Sequence, residues 1–205
     1  MTSILAFGDS NTYGFQPLIG GRYKENERYT GILRNTLGED YVIIEEGLNG
    51  RTANEFDEKE PFLNGRNYAI ACVMSHRPVN VLIVMLGTND CKSRYNKSAE
   101  QIASSVVELT RDMKKMLDEN QAERVKVILI SPRSMDERIV SPDSGMDKQS
   151  VSKSEQLGEL YDLAAQKEGW KFINADEIVG TVGADGCHLT KEGHLQLAKA
   201  IMQVI

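Results

Sequence analysis

Cysteine is scarce, with three residues in 205, and Cys72, Cys91 and Cys187 are widely spaced with no CxxC pair. No CxxC pair therefore suggests a disulfide scaffold or a zinc site of that spacing. Histidine is as sparse: His76, His188 and His194 form no cluster of ligand spacing. No metal-dependent hydrolase centre and no cofactor are expected. Lys and Arg nowhere form a long run, and the 24 basic side chains face 30 acidic ones, for a formal charge of −6. Nucleic acid and anionic membrane surfaces are therefore not expected partners. No apolar run approaches the roughly 20 residues of a membrane span. The stretch Met1 to Ser10 lacks a basic start, and its apolar part stops at Gly8, too early for a signal sequence, so cytoplasmic residence is expected. Internal repeats, low-complexity tracts and linkers are absent too. A single domain over residues 1–205 is expected, long enough to bury a sizeable core.

What is present is a regular alternation. Short apolar runs at Ser3–Phe7, Tyr41–Ile44, Val79–Leu86, Val125–Ile130 and Lys171–Ile173 are each followed by turn residues, as expected of strands buried on both faces. Between them lie segments with helical spacing. Ile102, Val106, Leu109, Met113, Met116 and Leu117 form one stripe, and Leu157, Leu160, Tyr161, Ala164 and Ala165 another. Leu195, Ala198, Ile201, Met202 and Ile205 follow a Thr190 N-cap, and Tyr29, Ile32, Leu33 and Leu37 precede Gly38. Strands alternating with helices predict an α/β fold: a three-layer α/β/α sandwich around a five-stranded parallel sheet. Phe15–Glu27 and Arg133–Ser152 read as long surface loops, the second with apolar Met135, Ile139, Val140 and Met146 able to shape a pocket.

Ligands of open α/β sheets bind beyond the carboxyl ends of the strands. The first strand ends in Gly8-Asp9-Ser10-Asn11, the second in Gly47-Leu48-Asn49-Gly50-Arg51 and the third in Gly87-Thr88-Asn89-Asp90, while Asp185-Gly186-Cys187-His188 precedes the last helix. Four segments remote in sequence thus converge on one rim.

In order and position, these segments resemble the four blocks of the SGNH (GDSL-type) hydrolase superfamily, from Phe7 to His188. The resemblance implies a flavodoxin-like version of the predicted sandwich, a serine nucleophile at Ser10, a base at His188 and its orienting carboxylate at Asp185. It also implies oxyanion donors in the backbone N–H groups of Ser10 and Gly50 and the side-chain amide of Asn89. Glu45-Glu46-Gly47-Leu48 followed by Arg51-Thr52 is similar to the arylesterase and acyltransferase branch, which favours short acyl groups.

The chemistry agrees with these roles. A serine hydroxyl needs a base within hydrogen-bond reach, and imidazole titrates near neutral pH. His76 precedes the third strand and so belongs to the opposite end of the sheet, and His194 lies inside the last helix; His188 is in a loop that can turn over the rim. An Asp three residues earlier, with glycine between, can fold back onto the imidazole Nδ1–H and leave Nε2 for the serine proton. Gly50 lets backbone approach a substrate closely, although Gly47 and Gly50 also serve as bends. Asn11, Tyr13 and Arg51 flank the site and are candidate substrate-binding residues, with structural roles equally open for Tyr13 and Arg51. Asp9 is expected to organise the turn rather than do chemistry.

The expected activity is hydrolysis of short-chain carboxylic esters, aryl or sugar acetates, through an acyl-serine intermediate, with acyl transfer to alcohols as a variant of the same chemistry. The expected partner is a small-molecule ester, and a homo-oligomer is compatible with the sequence. The alternative, a non-catalytic or nucleotide-binding flavodoxin-like module, lacks both a GxxxxGK[ST] loop and a GxGxxG after the first strand.

Overall fold

A computed structural model describes residues 1–205. Strands β1 (Thr2–Gly8), β2 (Tyr41–Gly47), β3 (Val81–Met85), β4 (Lys126–Ser131) and β5 (Lys171–Asn174) form one sheet in the order β2-β1-β3-β4-β5, and every pairing is parallel. All five predicted strands are found within a few residues of their expected ends. The sheet is covered on both faces, so its central strands must be apolar on both. β3 (VLIVM) is buried throughout. Along β1, Leu5 and Phe7 enter one core while Ile4 and Ala6 enter the other, following the two-residue alternation of a strand.

The larger core lies under α3 (Gly65–His76), α4 (Ala99–Asn120) and α5 (Lys148–Glu168), and the smaller under α2 (Tyr29–Leu37) and α7 (Lys191–Met202). Two four-residue helices, α1 (Ser10–Tyr13) and α6 (Ala175–Ile178), follow β1 and β5. The α4 stripe is buried as its spacing predicts. Thr190 caps α7 by accepting from the Gly193 N–H at 3.1 Å. No helix is long and apolar enough to cross a membrane.

Two features depart from the sequence reading. The loop expected over Arg133–Ser152 ends at Asp147, whose carboxylate accepts from the Ser150 N–H at 2.8 Å and starts α5 early. Helix α3 carries no apolar stripe by which to foresee it: Ala69, Cys72 and Val73 are buried, yet Tyr68 and Ala71 on the same short segment are exposed.

Because β2 is an edge strand, its last residues meet the helical layers directly, and consecutive side chains go to opposite ones. Glu45 turns toward α2 and collects Arg28 at 2.7 Å, Arg34 at 2.7 Å and Arg22 at 2.5 Å. Burial opposes its ionisation, but hydrogen bonds and charge from Arg28, Arg34 and Arg22 outweigh this and bring its carboxyl down to about 2. That cage pins the Phe15–Glu27 loop to the sheet. Glu46 turns the other way, toward α3.

Candidate active site

The turn after β1 is built around backbone packing. Asp9 caps α1 by accepting from the Asn11 N–H at 2.9 Å, so the capping role falls to Asp9 and leaves the Ser10 side chain free of it. A Cβ at Gly8 would stand 2.0 Å from Thr12 Oγ1, and one at Gly47 would stand 2.1 Å from the Tyr13 backbone nitrogen. Gly47 therefore serves the close seating of α1 on the end of β2. Gly50 has φ +83°, a left-handed conformation that glycine adopts without strain.

At the other end of the chain, Gly186 at φ +75° turns the loop before α7. Asp185 Oδ1 accepts from the backbone N–H groups of Cys187 at 3.1 Å and His188 at 3.0 Å, and Oδ2 lies 2.7 Å from His188 Nδ1. A carboxylate only accepts, so Nδ1 carries the proton and Nε2 is the acceptor. Nε2 lies 2.8 Å from Ser10 Oγ. Ser10, His188 and Asp185 thus form one continuous relay, with the hydroxyl donating to imidazole and imidazole to carboxylate. Burial opposes ionisation of Asp185, but the His188 ring, the His188 charge and the two backbone N–H groups prevail and hold its carboxyl at about 2. It is the anionic end of the relay throughout the neutral range.

Two further contacts hold the halves together. Asn11 Oδ1 accepts from the Leu189 N–H at 2.9 Å, joining the serine turn to the histidine loop. The Gly186 carbonyl accepts from the Asp136 N–H at 3.0 Å, so the 133–147 loop braces the turn that carries Asp185 and His188. Phe15, which the sequence reading missed, packs its ring against the His188 ring, centroids 4.6 Å apart and planes tilted by 45°, and its only sequence signal is an aromatic residue close behind the Gly-Asp-Ser turn.

The three proposed oxyanion groups are available. Neither the Ser10 nor the Gly50 N–H is engaged by an acceptor of the protein, and Asn89 Nδ2 gives one hydrogen to the Arg51 carbonyl at 3.2 Å, leaving its second free. Of the candidate substrate-binding residues, two are committed elsewhere. Arg51 is 3% exposed, stacks its guanidinium 4.2 Å from the Phe7 ring centroid, and donates to the Gly8 and Glu46 carbonyls. Its side chain fastens β1 to β2, and the Asn11 side-chain oxygen is engaged in the Leu189 strap, so both hold the scaffold around the site. Tyr13 remains half-buried beneath the Arg22 guanidinium, 4.7 Å from its ring centroid.

His76 is in the last turn of α3, is not hydrogen-bonded to Ser10, and reaches Glu46, which lies one residue before the end of β2. His194 is fully buried, its Nδ1 accepting from the Tyr29 N–H at 3.3 Å. Burial pulls its pKa down to about 3, with the His188 and Arg28 charges acting in the same direction, so this ring stays neutral. Cys187 is buried, and burial raises its thiol pKa, leaving it no nucleophile.

Asp90 lies fully buried behind Asn89, accepting from the Ala53 N–H at 2.8 Å through one oxygen while the other has no partner. Burial, opposed by the Ala53 contact and reinforced by Glu55, pushes its carboxyl up to about 7. A carboxyl whose folded-state pKa is raised contributes stability below its unfolded value that is lost as pH rises through the folded one. Asp90→Asn keeps the acceptor for Ala53 and cannot ionise. Thermal unfolding from roughly pH 4 to pH 7, between the ordinary carboxyl value and the raised one, should show the wild type losing stability faster than this variant; parallel curves across that window would contradict a protonated Asp90.

The sequence model of the GDSL-like Lipase/Acylhydrolase family matches residues 6–195. No curated protein matches the chain in sequence. Among solved structures, a carbohydrate acetylesterase from Sinorhizobium meliloti superposes with a TM-score of 0.91 at 32% identity, over 99% of this chain and 97% of that one. The aryl esterase of M. smegmatis superposes with a TM-score of 0.88 at 30% identity, over 100% of both chains.

Proposed function

Because the chain belongs to the GDSL-like lipase/acylhydrolase family and its structural neighbours are esterases, we propose that it is a serine esterase cleaving short-chain carboxylic esters, aryl or sugar acetates, through an acyl-serine intermediate. The observation that carries the reading is the 2.8 Å contact of Ser10 Oγ with His188 Nε2, backed by Asp185 at 2.7 Å on the other ring nitrogen. Names of the neighbours, a carbohydrate acetylesterase and an aryl esterase, support the choice of ester.

In this mechanism Ser10 Oγ attacks the ester carbonyl carbon as its proton passes to His188 Nε2, and the Asp185 carboxylate stabilises the imidazolium. The Ser10 and Gly50 N–H groups and the free Asn89 amide hydrogen hold the oxyanion. Collapse breaks the bond to the alkoxy group, which leaves as alcohol with the proton from His188. Water then attacks the acyl-serine with His188 again as base, releasing the carboxylic acid; an alcohol entering instead gives a new ester and makes the protein a transferase.

Asn89→Ala should lower kcat by about 10² to 10³, or about 2.7 to 4 kcal/mol of transition-state stabilisation, with KM nearly unchanged. A loss confined to KM would make Asn89 a ground-state contact. An acyl-chain-length series of aryl esters, run with and without an alcohol acceptor, tests the substrate class: rates should be highest for acetyl and fall with chain length, and a preference for long chains would refute it.

A further inference from the structure

On the other side of the sheet edge, Glu46 meets a group of side chains that the proposed ester chemistry does not use. Tyr68, Cys72 and His76 recur every four residues along α3 and therefore share one face of it. Glu46 Oε1 lies 2.8 Å from His76 Nε2 and 3.2 Å from the Tyr68 hydroxyl. One ligand atom each from Glu46, Cys72 and His76 lie within 4.8 Å of one another. Cys72 is fully buried and forms the floor, whereas the His76 side chain is 32% exposed and opens the group to solvent.

We propose that Glu46, Cys72 and His76 form a binding site for a zinc-class divalent ion, separate from the Ser10 relay. Thiolate, imidazole and carboxylate are the donors that zinc accepts, and three protein ligands leave a fourth tetrahedral position for water. With metal–ligand bonds of about 2.0 to 2.3 Å, tetrahedral donors stand about 3.3 to 3.5 Å apart. The present spread brackets that value, so side-chain rotation alone closes the site. On binding, the Cys72 thiol releases its proton to solvent as the sulfur–metal bond forms. His76 moves its proton to Nδ1 and presents the Nε2 lone pair, and the Glu46 carboxylate and Cys72 thiolate together balance the two charges of the ion. The sequence hides the site because two ligands sit one helical turn apart while the third comes from a strand that precedes the helix by a long connection.

Metal-stripped protein titrated with zinc by calorimetry should bind one ion per chain. Titrated with cobalt(II), it should develop a thiolate-to-metal charge-transfer band and the strong visible absorption of a tetrahedral complex. Cys72→Ser should remove the charge-transfer band. His76→Gln, at a part-exposed position where folding is not at stake, should weaken zinc by at least the about 10- to 100-fold seen when a residue that merely orients a ligand is lost. Metal-free esterase activity of His76→Gln should match that of the wild type, which separates this site from the proposed function. Absence of the charge-transfer band in the wild type, a band that survives Cys72→Ser, or zinc affinity untouched by His76→Gln would each overturn the assignment.

Discussion

Asp185→Asn should cut kcat by about 10⁴-fold, the loss that follows when the corresponding carboxylate of a serine protease is made an amide. The cause is the tautomer. An asparagine Oδ1 can still accept from the Cys187 and His188 N–H groups, which Asp185 Oδ1 holds at 3.1 and 3.0 Å, so the loop keeps its shape. The atom facing His188 Nδ1 then becomes an NH₂ group, which donates. Nδ1 must therefore accept, the ring proton moves to Nε2, and Ser10 loses its acceptor. Substrate affinity should change little, because none of these atoms leaves its place; a loss appearing in KM alone would sink the assignment. The same carboxyl, held at about 2 in the folded protein, contributes stability that is present above its ordinary value near 3.8 and fades as pH falls toward 2. The stability difference between wild type and Asp185→Asn should consequently be constant at neutral pH and vanish in strong acid.

Ser10→Ala removes the atom that the proposed mechanism acylates, so the pre-steady-state burst of alcohol from an aryl ester should disappear. Turnover should fall to the residue that binding and the oxyanion donors alone provide, about 10³ to 10⁴ over the uncatalysed reaction. The fold should be intact, since the cap of α1 belongs to Asp9 and the strap to Leu189 belongs to Asn11. A fluorophosphonate should label the wild type at Ser10 and leave the variant unlabelled; modification of another serine with Ser10 untouched would refute the nucleophile. In the proposed mechanism the three residues act as one relay, so Ser10→Ala combined with Asp185→Asn should be hardly worse than Ser10→Ala alone. A multiplicative loss would show that they act separately.

The strands were legible because a parallel sheet buried on both faces demands continuous apolar runs, and the polar segments after them marked the rim. Side-chain direction was not legible. Asn11 and Arg51 sit beside Ser10 and Gly50 in sequence, yet one reaches for Leu189 and the other for the Gly8 and Glu46 carbonyls, contacts that depend on elements far along the chain. Helix α3 is not legible in the sequence because its exposed Tyr68 and Ala71 blur the apolar stripe. The early start of α5 is not legible in the sequence because Asp147 and Ser150 have the composition of a loop, and only their contact at 2.8 Å makes them a cap. Glu45 and Glu46 are neighbours in sequence, while the pleat sends them to different layers.

The hydroxyl and the imidazole that meet across 2.8 Å are separated by 178 positions along the polypeptide. Translation therefore delivers the one long before the other, and a ribosome-bound chain halted between them holds a Ser10 with no base to draw off its proton. Esterase turnover should first be detectable only after the segment bearing His188 clears the exit tunnel.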